Sequence, residues 1–305
     1  MSLYSMLRPK GPNGYGYGST AEDVTRGLDL SGRTILLTGC NSGIGFETLR
    51  VLAMRGAHVV AAARSESKAR EAGQRAGAEI TPLACELEDP SSVRAAVAKV
   101  KELGRELDAI VCNAGIMALP KRELVHGWEK QLYTNHVGHF MLVTGLLDRL
   151  TERGRVVMLS SEAHRAAPRV GIDFDDLGAE RSYSQWAAYG QSKLANLLFA
   201  KELSRRFAGT KRTANAAHPG VIRTNLGRHM NPVAWAVFGL AGPLVLKSVG
   251  EGAATQCYLA AHPGAEGVTG EYYADCNPAK PRRDADDTAL AKRLWDESEK
   301  LVARI

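Results

Sequence analysis

Tyr189 and Lys193 stand four residues apart in Ala187-Ala-Tyr-Gly-Gln-Ser-Lys-Leu-Ala-Asn196. On a helix that spacing puts both side chains on one face, so a phenol and an ammonium can point into the same cleft. A nearby cation favours phenolate over phenol and draws a tyrosine pKa down from about 10 toward a range useful for proton transfer. The pattern alone is weak, because a solvated helix face carries tyrosine and lysine at this spacing equally well. Its weight comes from position. It follows a glycine-rich turn at 38–45 and a Ser160-Ser161 pair that ends an apolar run.

Thr38-Gly-Cys-Asn-Ser-Gly-Ile-Gly45 lies between an apolar run and an amphipathic one. A strand that enters a helix through such a turn is a dinucleotide-binding pattern. Gly39 permits the tight exit, Gly43 lets the backbone approach a pyrophosphate, and Gly45 permits close helix packing. The first helical turn then offers unpaired amides to the anion. A glycine turn without a ligand is the alternative; the flanking strand and helix favour binding.

These side chains need a scaffold, and the chain spells one out. Apolar runs at 34–38, 58–63, 79–84, 108–112, 155–159 and 213–217 lack polar alternation, as strands covered on both faces do. Helical patterns fall at 43–55, 66–76, 91–103, 123–150 and 186–208, with a further strand expected at 268–273 and a polar helix at 285–303. This alternation predicts an α/β fold: a single doubly wound domain of Rossmann type, with a mostly parallel seven-stranded sheet flanked by helices. The domain is expected over 30–305 and includes a substrate-lid segment near 224–250. Residues 1–29 form an N-terminal arm, in which Ser19-Thr-Ala-Glu22 is a capping-box signature for a short helix.

At 305 residues the chain can bury a substantial core, and its 45% hydrophobic and 24% charged residues are those of a soluble globular protein. The net charge of +6 suits an anionic ligand, yet the basic residues are scattered and form no nucleic-acid surface. Five cysteines (Cys40, Cys85, Cys112, Cys257, Cys276) lack metal-ligand spacing and read as reduced, mostly buried thiols of a cytoplasmic protein. The N-terminus has no apolar signal-peptide core before Pro9. The most apolar stretch, 232–246, is too short to span a membrane and is broken by Gly239, Gly242 and Pro243, so a greasy flap over a pocket is favoured over a membrane-surface contact. No transmembrane anchor is expected. His136, His139 and His164 lack the acidic or cysteine partners of a metal site, which leaves packing or surface roles, with pocket lining open to His164. Cys40 and Cys112 have no basic partner that would activate a thiol.

With Asn113-Ala-Gly115, Ser160-Ser161, Tyr189-x-x-x-Lys193 and Pro219-Gly220, the G-x-x-x-G-x-G turn resembles the short-chain dehydrogenase/reductases from about residue 30 to about 280. The retinol-dehydrogenase-type branch is the most similar; it includes the oxidoreductase domain of the WW-domain-containing oxidoreductase and the chloroplast-envelope dehydrogenases. That likeness rests on T-G-C-N-S-G-I-G-F-E (38–47), S-S-E-A-H (160–164), S-K-L-A-N (192–196) and G-V-T-G-E-Y-Y-A-D-C (267–276).

The resemblance implies that Tyr189 acts as general acid or base, that Lys193 lowers its pKa and bonds the nicotinamide ribose, and that Ser161, the second serine of the pair, polarises the substrate oxygen. It implies that Asn135 holds a water between the lysine and solvent, unless it is a helix-interior asparagine bonded to backbone. Cofactor contacts are implied for Gly39, Asn41, Ser42, Gly43, Ile44, Gly45, Glu86, Leu87, Asn113, Ala114, Gly115, Pro219, Gly220, Val221, Ile222 and Thr224, besides Tyr189 and Lys193. Glu86 stands where the family usually has aspartate, which leaves that contact open. Strand 58–63 ends in Ala62-Ala63-Arg64 with no carboxylate for a ribose 2′-hydroxyl, so Arg64 favours NADP(H) over NAD(H), a solvated loop charge being its alternative.

The implied reaction interconverts an aldehyde or ketone and an alcohol by hydride transfer. The 27 residues between Ser161 and Tyr189, longer than most of the family has, include Asp173–Leu177 and Tyr183–Trp186 and, with 232–246, wall a pocket for a lipophilic carbonyl. Alternatives are an NAD-linked dehydrogenase of steroid or polyol alcohols and a cofactor-bound redox sensor. A homo-oligomer stays open.

Overall fold

The computed structural model describes residues 8–222 and 246–305; Thr224 and the apolar stretch up to residue 245 lie outside the described residues. Five buried residues, Thr34–Thr38, form β1 at the centre of the sheet. Its side chains alternate between two cores, Leu36 facing one and Ile35 and Leu37 the other. Both faces are covered, so no position needs a polar residue. β2 (His58–Ala63) and β4 (Leu107–Cys112) flank it in parallel register. β3 (Ile80–Ala84) closes one edge and is only partly buried. That edge position explains how it accommodates Pro82, which has no N–H to donate.

On the other side follow β7 (Leu150–Leu159), β8 (Thr213–His218) and β9 (Tyr272–Ala274), giving the parallel order β3-β2-β1-β4-β7-β8-β9. These are the seven expected strands. A two-residue β10 (Asn277–Pro278) pairs antiparallel to β9, too short to leave a sequence pattern. The strand order reverses between β1 and β4, the crevice where open α/β sheets bind ligands.

Helices α1 (Ala21–Val24), α2 (Gly43–Met54), α3 (Glu66–Ala76) and α7 (Val249–Ala261) contribute to the core on one face. Helices α4 (Pro90–Glu102), α5 (Gly138–Gly145), α6 (Gln185–Arg206) and α8 (Thr288–Val302) cover the other. α6 is buried on nearly every side from Ala188 to Ala200. The arm is docked: Tyr15 packs edge-on to Tyr258, and Asn13 donates to the Cys276 carbonyl at 2.6 Å.

Where boundaries differ from expectation, three cases have a clear local reason. The helix expected over 123–150 begins later, because β5 (Leu124–Val125) and β6 (Trp128–Glu129) form a hairpin whose two turn residues, His126 and Gly127, have φ of 49° and 83°. Positive φ at both positions is the tight-hairpin geometry that Asn-Gly usually signals, and His-Gly hides it. The strand expected from 268 starts at Tyr272, since Gly267 and Gly270 turn the backbone at positive φ. The capping box at α1 uses Thr20 and Asp23, one residue later than Ser19 and Glu22.

The tightest junction lies at the first turn. Gly39 has φ of 69°, and a β-carbon on Gly45 would fall inside van der Waals contact of the Gly39 carbonyl oxygen. We expect Gly45→Ala to destabilise the protein by about 1–3 kcal/mol through overpacking, read as a lower urea midpoint; an unchanged midpoint would show that α2 can move away from β1.

Candidate active site

The site forms where β1, β4, β7 and β8 end. Thr38, the last residue of β1, is its knot. Its hydroxyl oxygen accepts from the backbone N–H groups of Asn113 and Ala114, both at 3.0 Å. The same hydroxyl lies 2.9 Å from His139 Nε2. His139 Nδ1 lies 2.9 Å from the Asn135 carbonyl, which can only accept, so Nδ1 carries the proton and Nε2 accepts from Thr38. Asn113 Nδ2 donates to the Thr38 carbonyl at 2.8 Å and to Gly39 O at 3.3 Å. The Asn113-Ala-Gly115 turn is thereby tied to the glycine turn.

Asn135 sits at the centre of a π-helical turn, Tyr133–Val137, that leads into α5. Its Oδ1 accepts from Ile116 N–H at 2.8 Å, and its Nδ2 donates to Ile116 O and to Ser192 Oγ, each at 2.9 Å. Ser192 in turn donates to the Tyr189 carbonyl. The side chain thereby joins the loop after β4 to α6.

α6 carries the proton-handling pair. Tyr189 is 9% exposed, and the Ser161 side chain lies close enough to favour its phenolate. Lys193 Nζ lies 5.6 Å from the centre of the Tyr189 ring and donates to the Leu159 carbonyl at 3.0 Å. A β-carbon on Gly115 would stand 3.5 Å from that ammonium. Ser160 faces the other way and donates to the Lys193 carbonyl, so of the two serines Ser161 alone turns to Tyr189.

Burial rules the electrostatics here. It pushes Tyr189 up to about 12, with the nearby Ser161 side chain acting against it, and Lys193 down to about 8. The depression of the tyrosine expected from its neighbouring cation is not what the protein matrix imposes. Loss of hydration penalises phenolate and ammonium alike.

Ser42, the N-cap of α2, makes no side-chain bond to its helix, and the first turn holds no acidic residue. The amides of Gly43, Ile44 and Gly45 therefore face the crevice without a capping side chain, and Gly43 has φ of 54°. Asn41 lies on the outer side of this turn, where its carbonyl meets Arg75. Arg64 follows β2 on the surface, and its charge lowers the Glu86 carboxyl, which burial and Glu88 raise. Leu87 is buried in the core, its carbonyl against Gly138. After β8, Gly220 adopts φ of 88° against the Lys247 side chain, Val221 is exposed, and Ile222 packs beside Ile44 over Gly252. Every described candidate thus lies at the carboxyl ends of the strands.

Sequence reasoning missed what holds Ser161. His164 is fully buried, with Nδ1 donating to the Ser161 carbonyl at 2.6 Å and Nε2 accepting from Arg282 N–H at 3.1 Å. Arg282 also donates to the carbonyls of His164, Ala167 and Pro168. A segment more than 100 residues downstream latches the serine turn, and no local pattern could announce that. The insertion is split in use. Tyr183 donates to the Leu119 carbonyl and Trp186 packs edge-on to Tyr189, whereas Phe174–Leu177 line a separate open cavity of about 510 Å³ with Trp128, Leu301 and Ile305. All five cysteines are free and buried. Among the described residues there is no metal-ligating cluster and no helix long and apolar enough to cross a membrane.

The chain is similar to known proteins over nearly its whole length. The family described as short chain dehydrogenase matches residues 33–172. The chain is 43% identical to "Short-chain dehydrogenase TIC 32 B, chloroplastic" of Brassica napus over 99% of both chains. It is 39% identical to human "Retinol dehydrogenase 14", over 93% of this chain and 91% of that one. Among solved structures, an uncharacterized protein from Mycobacterium paratuberculosis superposes with a TM-score of 0.75 at 36% identity, covering 94% of this chain and 98% of that one. The "Pseudomonas aeruginosa RhlG/NADP active-site complex" gives 0.64 at 27% identity, over 80% and 94%.

Burial of the histidine network makes stability depend on pH. Burial and the neighbouring His139 hold His136 neutral at about 3; burial, with Lys193 adding to it, holds His139 at about 4. The unfolded chain binds protons that the folded one refuses, so stability is present above pH 6.5 and is lost on acidification. Each group costs roughly 1.4 kcal/mol per pH unit below that point. Urea titrations from pH 7 to 4 should show this slope, and His136→Phe should reduce it by about one proton's worth whatever its overall stability. An unchanged slope in that variant would remove His136 from the account.

Proposed function

The chain belongs to the short-chain dehydrogenase/reductase family of oxidoreductases, in its retinol-dehydrogenase-type branch, and on that premise we propose that it interconverts a lipophilic aldehyde or ketone and the corresponding alcohol with NADP(H). The observation that carries the reading is the buried Tyr189, with the Ser161 side chain close enough to favour its phenolate and the Lys193 ammonium 5.6 Å from its ring. When bound, the nicotinamide supplies or accepts the hydride. The residues present fit a dinucleotide. Gly39 and Gly45 let the turn close tightly against the loop after β4, and the uncapped amides of α2 suit a pyrophosphate.

In the reductive direction Tyr189 gives its proton to the carbonyl oxygen, and Ser161 donates a hydrogen bond to that oxygen as charge develops on it. Lys193, steered by the Leu159 carbonyl, stabilises the phenolate left behind and bonds the ribose. Asn135 holds the loop after β4 against α6; its carbonyl keeps a second lone pair for a water on the path from the lysine to solvent. Asn41, Ser42, Ile44, Asn113, Ala114 and Gly115 line the pyrophosphate and ribose side, Glu86 and Leu87 the adenine side, and Pro219, Gly220, Val221 and Ile222 the nicotinamide side. Thr224 is assigned with them by resemblance.

Preference for NADP(H) is supported by Arg64 and by the absence of a carboxylate at the end of β2. A lipophilic substrate is supported by Trp186, 40% exposed beside Tyr189, and by Val221, 55% exposed in the loop after β8. A reducing compartment, the cytoplasm, suits five free thiols.

Tyr189→Phe should lower turnover by about 10²–10⁴-fold or more while leaving cofactor affinity within about twofold, measured by NADPH consumption with apolar carbonyls and by NADPH fluorescence titration. Substantial residual turnover would refute the assignment. Because Lys193 loses its proton near 8, reductive kcat/KM should hold at neutral pH and fall above pH 8; Lys193→Arg, if it folds, should remove that fall. A wild-type profile flat to pH 10 would take the lysine out of the mechanism.

A further inference from the structure

The mechanism leaves one arginine near the crevice without a task. Arg75 lies in the last turn of α3, where a cation ordinarily serves the negative end of its own helix. Here the side chain reaches to a different element. Its Nη1 donates to the Asn41 carbonyl in the glycine turn at 3.3 Å, and its guanidinium carbon lies 4.4 Å from the centre of the Phe46 ring on α2. No carboxylate among the described residues forms an ion pair with it, although Arg70 on the same helix is paired with Glu66.

This arrangement is a preset cation. The aromatic face takes one side of the planar guanidinium and the Asn41 carbonyl takes one N–H, which leaves further donors of the fork beside the turn. The anion such a group serves follows from the layout of the crevice. A pyrophosphate is provided for by the backbone amides at the start of α2. The ribose of a dinucleotide's adenosine half lies between the glycine turn and the end of the second strand. Arg64 stands at that strand end, and Arg75 is anchored on the turn.

We infer that Arg75 is a second specificity-determining cation for the adenosine 2′-phosphate, acting with Arg64 and oriented by Phe46. The inference rests on the NADP(H) reading above and deepens it. Arg64 alone is a surface charge without a second anchor; a guanidinium held on the glycine turn adds both charge and fixed donor geometry.

Direct binding separates the possibilities, because adenosine 2′,5′-bisphosphate and AMP differ only by the 2′-phosphate. Calorimetry or competition against a fluorescent nucleotide should show wild type favouring the bisphosphate. Arg75→Met should weaken the bisphosphate by about tenfold or more and leave AMP within about twofold. Phe46→Leu should give a smaller loss of the same kind, since it removes the platform and keeps the charge. If wild type does not discriminate between the two nucleotides, the NADP(H) reading and this inference both fall. If wild type discriminates and Arg75→Met discriminates equally well, the inference fails while that reading stands. Equal weakening of both nucleotides would assign Arg75 to the glycine turn itself and overturn the inference.

Discussion

A buried polar group must find a partner, and around Thr38 that requirement ties the whole site together. One hydroxyl at the end of β1 accepts two amides from the turn after β4 and meets a histidine on α5. That histidine holds the Asn135 carbonyl, and Asn135 holds the loop at Ile116 and Ser192 on α6. The chain of bonds runs from the glycine turn to the helix of Tyr189 and Lys193 through side chains that are almost wholly screened from water. Each member would be costly to leave unsatisfied, so the network behaves as one unit. Small-residue packing completes it. Gly39, Gly45 and Gly115 let three backbones and one ammonium come together where a methyl group would separate them.

Burial that rigidifies the site also sets its electrical character. Both members of the reactive pair are dry, so the phenol keeps its proton and the lysine holds its own weakly. Charge on the crevice is supplied by different means on its two sides. The first turn of α2 presents uncapped backbone dipoles, while Arg64 follows β2 and Arg75 reaches the glycine turn from α3. Net charge alone could not have distinguished these arrangements from a scatter of surface cations.

The C-terminal part of the chain shapes the substrate side from a distance. His164 and Arg282 fasten the serine turn to the segment after β10, so the position of Ser161 depends on residues that follow the last strand. The long connection before α6 is divided between Tyr183 and Trp186, which approach the site, and Phe174–Leu177, which pack toward the C-terminus. Length of an insertion therefore says little about which of its residues a substrate meets.

Much was legible in advance. Doubly covered strands are uniformly apolar, so β1, β2 and the start of α2 were read to the residue, and Tyr189 with Lys193 declared itself by helical spacing. The hairpin at His126-Gly127 was hidden because its turn residues are unusual for their φ, and β9 and β10 because so few residues pair. Local periodicity reports what a segment buries. It carries no information about which distant carbonyl a side chain meets. The residue types available for chemistry and the order of strands and helices were thus determined by the amino-acid sequence. The serine turned to Tyr189, the reach of Arg75 to Asn41, and the opposed shifts of tyrosine and lysine were decided only by tertiary packing, because partners and dehydration are properties of the assembled fold.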